Sequence, residues 1–276
     1  MRPFTSLLVE SADGMARITL NRPERRNAFD DRMATELCDA FEELGQDPSI
    51  RVLVLAAAGP AFCAGADLRW INPESPVTET QAREDAHRLV RMYRAIDEYP
   101  SPVIGRIHGP AFGGGVGLMA VCDMVVAAED ATFALSEVRL GLIPAVIAPL
   151  LLRKAGESFL RRYCLSGEPF SASEAKHFNL VHDIAGQDGL DKRVRELCDM
   201  ILRVAPQAAR QTKALLRHLL SQPEGHRSIM CVDANAQARL SEEAREGLHA
   251  FSEKRPAVWT HDAPSRYAEP PNATDQ

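Results

Sequence analysis

The 276-residue chain has no cysteine pair at C-x-x-C spacing, no excess of basic residues and no apolar run long enough to span a bilayer. Its six cysteines (Cys38, Cys63, Cys122, Cys164, Cys198 and Cys231) are far apart, which points to buried thiols rather than disulfides or zinc ligands. Lys plus Arg number 32 against 38 Asp plus Glu, a formal net charge of -6, which disfavours a surface built mainly to hold nucleic acid. The longest nearly uninterrupted apolar runs, Leu140 to Leu152 and Gly117 to Ala128, fall short of the roughly 18 residues a span requires. The opening MRPFTSLLVES lacks the long apolar stretch of a secretory signal, so a cytoplasmic protein is expected. A Walker A lysine motif, a G-x-S-x-G elbow and an HExxH pair are all missing, and no metal is expected.

What is present is ordinary for a globular protein: 45% apolar and 25% charged residues, in a length that allows one large domain or two small ones. Met33, Leu37, Phe41 and Leu44 recur at helical spacing behind the capping candidates Asp30 and Asp31. Met15 to Leu20, Val52 to Leu55, Val103 to Ile107, Met124 to Ala127 and Thr132 to Leu135 read as strands. Helices are expected through Arg83 to Tyr99, which the prolines at 100 and 102 end, and through Leu118 to Val121. The alternation is that of an α/β fold. From Gly189 the pattern is almost entirely helical, broken at Pro206 and Pro223. From Pro256 four prolines and few aliphatic residues suggest an irregular tail.

Two loops could carry chemistry. Ala64, Gly65, Ala66 and Asp67 follow one strand, and Gly113, Gly114 and Gly115 follow another, each where a helix could begin. Backbone N–H groups at a helix start lack intrahelical partners and sit at the positive end of its dipole. Two of them converging on one oxygen form an oxyanion hole; equally, the glycines could serve only tight turns or close packing. Gly115, Gly117 and Ala120 also satisfy G-x-G-x-x-A with Glu137 twenty residues on, a formal nicotinamide-dinucleotide fingerprint in poor context. His108 reads as a structural hydrogen-bonding residue rather than a base. Glu137, set among Phe133, Leu135, Val138 and Leu140, is either a water-facing strand-end residue or a partly desolvated acid/base group.

ITLNRPERRNAF (18–29), AFCAGADL (61–68), PVIGRIHGPAFGGGVGL (102–118), FALSEVRLGLIP (133–144), LSGEPFSASEA (165–175) and FSEKRP (251–256) occur in one order. In them the chain resembles the crotonase family of enoyl-CoA hydratases and isomerases, from about Met15 to Pro256. The resemblance implies a ClpP-like α/β spiral of repeated ββα units in residues 1–200. It further implies a C-terminal helical trimerisation region in 201–255, a tail in 256–276, and a homotrimer or dimer of trimers. The ligand it implies is an acyl-CoA thioester, with no cofactor beyond the coenzyme A carried by the substrate.

The family's oxyanion donors match the N–H groups of Ala66 and Gly114. By the same matching, Arg25, Ala64, Ala66, Asp67 and Leu68 border the CoA, Phe251 and Lys254 approach the CoA of a neighbouring subunit, and Trp70 and Gly117 line the acyl pocket. Typical hydratases of the family carry two glutamates; here the second matches Glu137 and the first falls on Gly117. The lone carboxylate and surrounding motifs look most like bacterial methylglutaconyl-CoA hydratases and their isoprenoid-glutaconyl relatives, with an isomerase using Glu137 as proton shuttle as the alternative. Gly117 is expected to leave room for a branched acyl group, and Arg69, Arg88 and Arg91 are candidate partners for a distal carboxylate.

Overall fold

The computed structural model describes residues 3–71 and 76–260. Among the described residues nine strands are laid down in chain order: β1 (Leu7–Ala12), β2 (Met15–Leu20), β3 (Val52–Ala57), β4 (Val103–Ile107), β5 (Ala111–Phe112), β6 (Met124–Ala128), β7 (Thr132–Ala134), β8 (Pro169–Ser171) and β9 (Asp183–Ala185). Six of them form a sheet in the order β1-β2-β3-β4-β6-β9, antiparallel only at the β1/β2 hairpin, and β5-β7-β8 form a small second sheet. Central β3, VLVLAA, is buried at every position, the near-continuous apolar reading of a parallel strand covered on both faces.

Helices close the crossovers that parallel pairing demands. They are α1 (Asp31–Gly45), α2 (Leu68–Ile71), α3 (Glu79–Asp97), α4 (Gly114–Val121), α5 (Ala148–Ser166), α6 (Ala172–His177) and α7 (Gln187–Leu202). In α1 the Asp30 carboxylate accepts the Met33 N–H at 2.9 Å as N-cap, and Met33, Leu37, Phe41 and Leu44 are all buried. Isolated bridges Phe29–Ala66 and Cys63–Ala111 carry the second sheet sideways into the preceding loops. The chain therefore repeats one unit, a long strand, a short strand in the second layer, then a helix: β2, Phe29, α1; β3, Cys63 to Ala66, α3; β4, β5, α4; β6, β7, α5. This is the ββα spiral expected from the resemblance.

Three differences from the sequence reading have local causes. β1 was not expected; it is an edge strand with one buried residue, so little periodicity marks it. Thr78 caps α3 through Gln81, so that helix starts at Glu79 rather than Arg83; the Asn72 to Val77 break lies partly outside the described residues. α4 begins at Gly114 rather than Leu118, because packing against its neighbours outweighs the poor helix propensity of three glycines.

Beyond α7 follow α8 (Pro206–Ser221), α9 (Glu224–Leu240) and α10 (Glu242–Glu253). Residues 261–276 of the expected tail lie outside the described residues. A cationic stripe holds α8 to the core: Arg210 donates to the Ile50 carbonyl at 2.9 Å, Lys213 pairs with Asp123 at 2.7 Å, and Arg217 pairs with Glu98 at 3.1 Å. Asp123 also accepts the Val103 N–H at 2.7 Å. Asp123→Ala strands the Val103 N–H and leaves Lys213 with the Ser101 carbonyl at 3.0 Å, and is expected to cost about 2 kcal/mol, read as a lower midpoint of urea unfolding at unchanged slope.

Candidate active site

The first loop is built around Asn27, fully buried with φ +54°. Its side chain accepts the Arg22 N–H at 2.8 Å and donates to the carbonyls of Ala58 (2.7 Å) and Ala61 (2.8 Å), tying two turns of the spiral together. Arg22 pairs with Asp30 at 3.1 Å and Asp67 at 3.3 Å. Gly65 has φ +89°, and a Cβ there would lie 2.8 Å from the Phe112 carbonyl oxygen and 3.3 Å from the Gly114 nitrogen. Glycine is thus required twice over, by conformation and by the approach of the second loop.

In that second loop Gly113 (φ +50°) donates to the Ala134 carbonyl at 2.8 Å, and α4 starts at the next residue. Among the described residues neither the Ala66 nor the Gly114 N–H donates to a protein acceptor. The Gly65 contact shows that the loops bearing them meet. Two unpaired donors on abutting loops are what a developing oxyanion needs.

Glu137 stands at the first position of a 3₁₀ turn, Glu137–Leu140, which follows β7 after Leu135 and Ser136. Its Oε1 lies 3.0 Å from the place a Cβ on Gly113 would take, so the carboxylate faces the second loop. Its Oε2 is buried without a hydrogen-bond partner among the described residues, and burial pushes the carboxyl above its usual range. The sequence left open a water-facing or a partly desolvated carboxyl, and the surroundings observed are partly desolvated ones.

Sequence reasoning missed Tyr93 and Ile147. Tyr93, on the inner face of α3, is buried and donates to the Gly114 carbonyl at 2.8 Å. At Gly117 the expected room for a branched acyl group is not there. A Cβ at 117 would lie 2.5 Å from Ile147 Cγ2 and 3.0 Å from the Tyr93 ring, so those two side chains fill the space. No motif marks either residue; only the folded chain brings Ile147 beside Gly117.

The other candidates are dispersed. Ala64 and Asp67 lie in the first loop, where the Asp67 carboxylate is engaged by Arg22 and by the Arg69 N–H at 3.0 Å. Arg25, Leu68 and Arg69 are exposed, and Trp70 is half-buried against the core. Phe251 and Lys254 lie at the end of α10, which packs on α9; within the described residues no side-chain hydrogen bond joins them to the two loops. Arg88 and Arg91 line a cavity of about 290 Å³ between α1 and α3 with Thr35, Cys38 and Asp39, on the side of α3 away from Tyr93. His108 holds the Gly59 carbonyl through Nε2 at 2.8 Å, the structural role expected of it.

The dinucleotide fingerprint fails in space. Gly115, Gly117 and Ala120 are buried within α4, and a Cβ at Gly115 would strike the Cys63 carbonyl oxygen at 2.3 Å, leaving no approach for a pyrophosphate. Residues 10–262 match the model of the family described as enoyl-CoA hydratase/isomerase.

The chain belongs to the enoyl-CoA hydratase/isomerase family.

Enoyl-CoA hydratase AKT6-1 of Alternaria alternata is 33% identical over 243 residues, spanning 88% of this chain and 80% of the relative. An enoyl-CoA hydratase crystal structure from Shewanella pealeana superposes with a TM-score of 0.88 at 37% identity, covering 93% of this chain and 96% of the other. One from Mycobacterium smegmatis gives 0.89 at 32% identity, covering 93% and 100%. The matched residues include both loops and Glu137, and the family is one of enzymes acting on CoA thioesters.

Proposed function

We propose that the protein hydrates a 2-enoyl-CoA thioester. The observation that carries this reading is a desolvated carboxylate, Glu137, facing a loop whose Gly114 N–H, like that of neighbouring Ala66, has no protein acceptor. In the proposed reaction the two N–H groups polarise the thioester carbonyl and make the β-carbon electrophilic. Glu137 takes a proton from water as its oxygen bonds to the β-carbon, then returns a proton to the α-carbon as the enolate collapses. Arg25, Ala64, Ala66, Asp67 and Leu68 border the CoA in this scheme, Trp70 the acyl chain, and Phe251 and Lys254 the CoA of a neighbouring protomer.

A branched or glutaconyl-type acyl group is part of the proposal. It rests on the motifs, since Gly117 does not supply the room. Assembly as a trimer or dimer of trimers is supported by Ile229, Val232, Leu248 and Phe251, large apolar side chains 61 to 85% exposed on α9 and α10. Six free cysteines fit a reducing, cytoplasmic setting. No helix among the described residues is long and apolar enough to cross a membrane.

The lone carboxylate also favours a second reading, an isomerase in which Glu137 moves one proton along the chain. Product mass decides between them. Incubation with crotonyl-CoA, 3-methylcrotonyl-CoA and 3-methylglutaconyl-CoA is expected to yield products heavier by one water, with 3-methylglutaconyl-CoA the best substrate. Products of unchanged mass and altered retention favour the isomerase, and a clear preference for crotonyl-CoA removes the branched-chain proposal.

A further inference from the structure

The segment Gly113, Gly114, Gly115 has no side chain with which to hold its own shape, and glycine is the residue with most backbone freedom to lose. An oxyanion donor must nonetheless stay within about 0.5 Å of its productive place. Its fixation therefore comes from neighbours. The Ala134 carbonyl receives the Gly113 N–H at 2.8 Å, the Cys63 carbonyl abuts Gly115, and the Phe29 ring abuts Gly114. Among the described residues one side chain hydrogen-bonds to this triplet: Tyr93, through its hydroxyl to the Gly114 carbonyl at 2.8 Å.

We propose that Tyr93 is the positioning residue of the oxyanion hole, holding Gly114 so that its N–H points at the thioester oxygen. The assignment rests on the reading of Gly114 as a donor. Tyr93 lies on α3 and is only 2% exposed. Its ring also abuts Gly117 beside Ile147, so the phenol is wedged against the first and fourth residues of α4. Burial raises the phenol well above its usual range, so the hydroxyl stays a donor at any working pH. The hydroxyl acts on Gly114 rather than on the substrate, which makes orientation of the donor, not thioester affinity, the quantity it controls.

The test uses Tyr93→Phe, which keeps the ring and removes the hydroxyl. The probe is 2,4-hexadienoyl-CoA, whose absorption band moves to longer wavelength as its carbonyl is polarised. Wild type is expected to shift the band. Tyr93→Phe should bind the probe within about threefold of wild type, show a clearly smaller shift, and lose about tenfold in kcat on the best enoyl-CoA at near-constant KM, the worth of one hydrogen bond. A wild-type band shift and kcat in Tyr93→Phe overturn the inference and leave the hydratase reading standing. No band shift in wild type overturns both. Should Tyr93→Phe fail to fold, 3-fluorotyrosine at position 93 keeps the shape with a stronger donor. It is expected to move the band further than wild type does, and an unmoved band overturns the proposal.

Discussion

Glu137→Gln is expected to lower enoyl-CoA turnover by about 10² to 10⁴, the range that general acid–base catalysis contributes, while making the protein more stable at neutral pH. The two effects share one cause. The wild-type carboxyl is held above the ordinary glutamate value of 4.5 by burial, so its ionised form is penalised in the folded state. The folded chain then binds this proton more tightly than the unfolded chain does. Its contribution is fully present below the unfolded value and is lost as pH rises through the higher folded value. Gln, with the same shape and no charge, avoids that loss. The gain in melting temperature should be largest above the folded value and should vanish near pH 4. In wild type the acid limb of kcat/KM should lie above 4.5, since the base must be ionised to accept a proton from water. A Gln variant with full turnover, or a limb below 4.5, removes Glu137 from the proposed mechanism.

Gly117→Glu, which restores the second carboxylate of typical hydratases, is expected to damage the protein rather than improve it. The new Cβ would sit 2.5 Å from Ile147 Cγ2, a branched methyl that cannot swing away, and 3.0 Å from the aromatic ring of Tyr93. Overpacking of this kind costs about 1 to 3 kcal/mol, and an unpaired buried charge adds to it. A loss of about 3 kcal/mol or more should appear as a melting temperature lower by roughly 6 to 12 °C in a chain of this size. Pairing the change with Ile147→Ala is expected to recover part of the loss, because the obstructing methyl is then gone. If Gly117→Glu alone melts like wild type, the space beside Gly117 is not closed.

What the sequence disclosed, and what it did not, follows from the range of the interactions. The α1 stripe and the run at Val103 to Ile107 were legible because both are local patterns, one of period near 3.6 and one a short apolar block ended by turn residues. The two glycine loops were legible as candidates for the same reason. The segment Ala148–Ser166 shows no legible stripe, because it is two helical pieces that meet at Gly156 (φ +83°) and only Leu151, Phe159 and Tyr163 in it are buried. Tyr93 and Ile147 were invisible as site residues because their importance arises from meeting α4 after folding. The Gly117 expectation shows the limit most clearly. A missing side chain in the sequence says nothing about whether a residue thirty positions away has already taken its volume.

The repeat of the spiral has one more consequence. Cys63 and Ala111 pair across adjacent turns, and the proposed donors Ala66 and Gly114 each stand three residues beyond them. Neighbouring strands lie about 4.8 Å apart. Two N–H groups that reach one oxygen from about 2.9 Å, about 110° apart, are themselves separated by about 4.8 Å. The pitch of backbone pairing and the bite needed to grip a single oxygen coincide, so a fold that winds strand beside strand supplies the span of such a grip before any side chain is chosen.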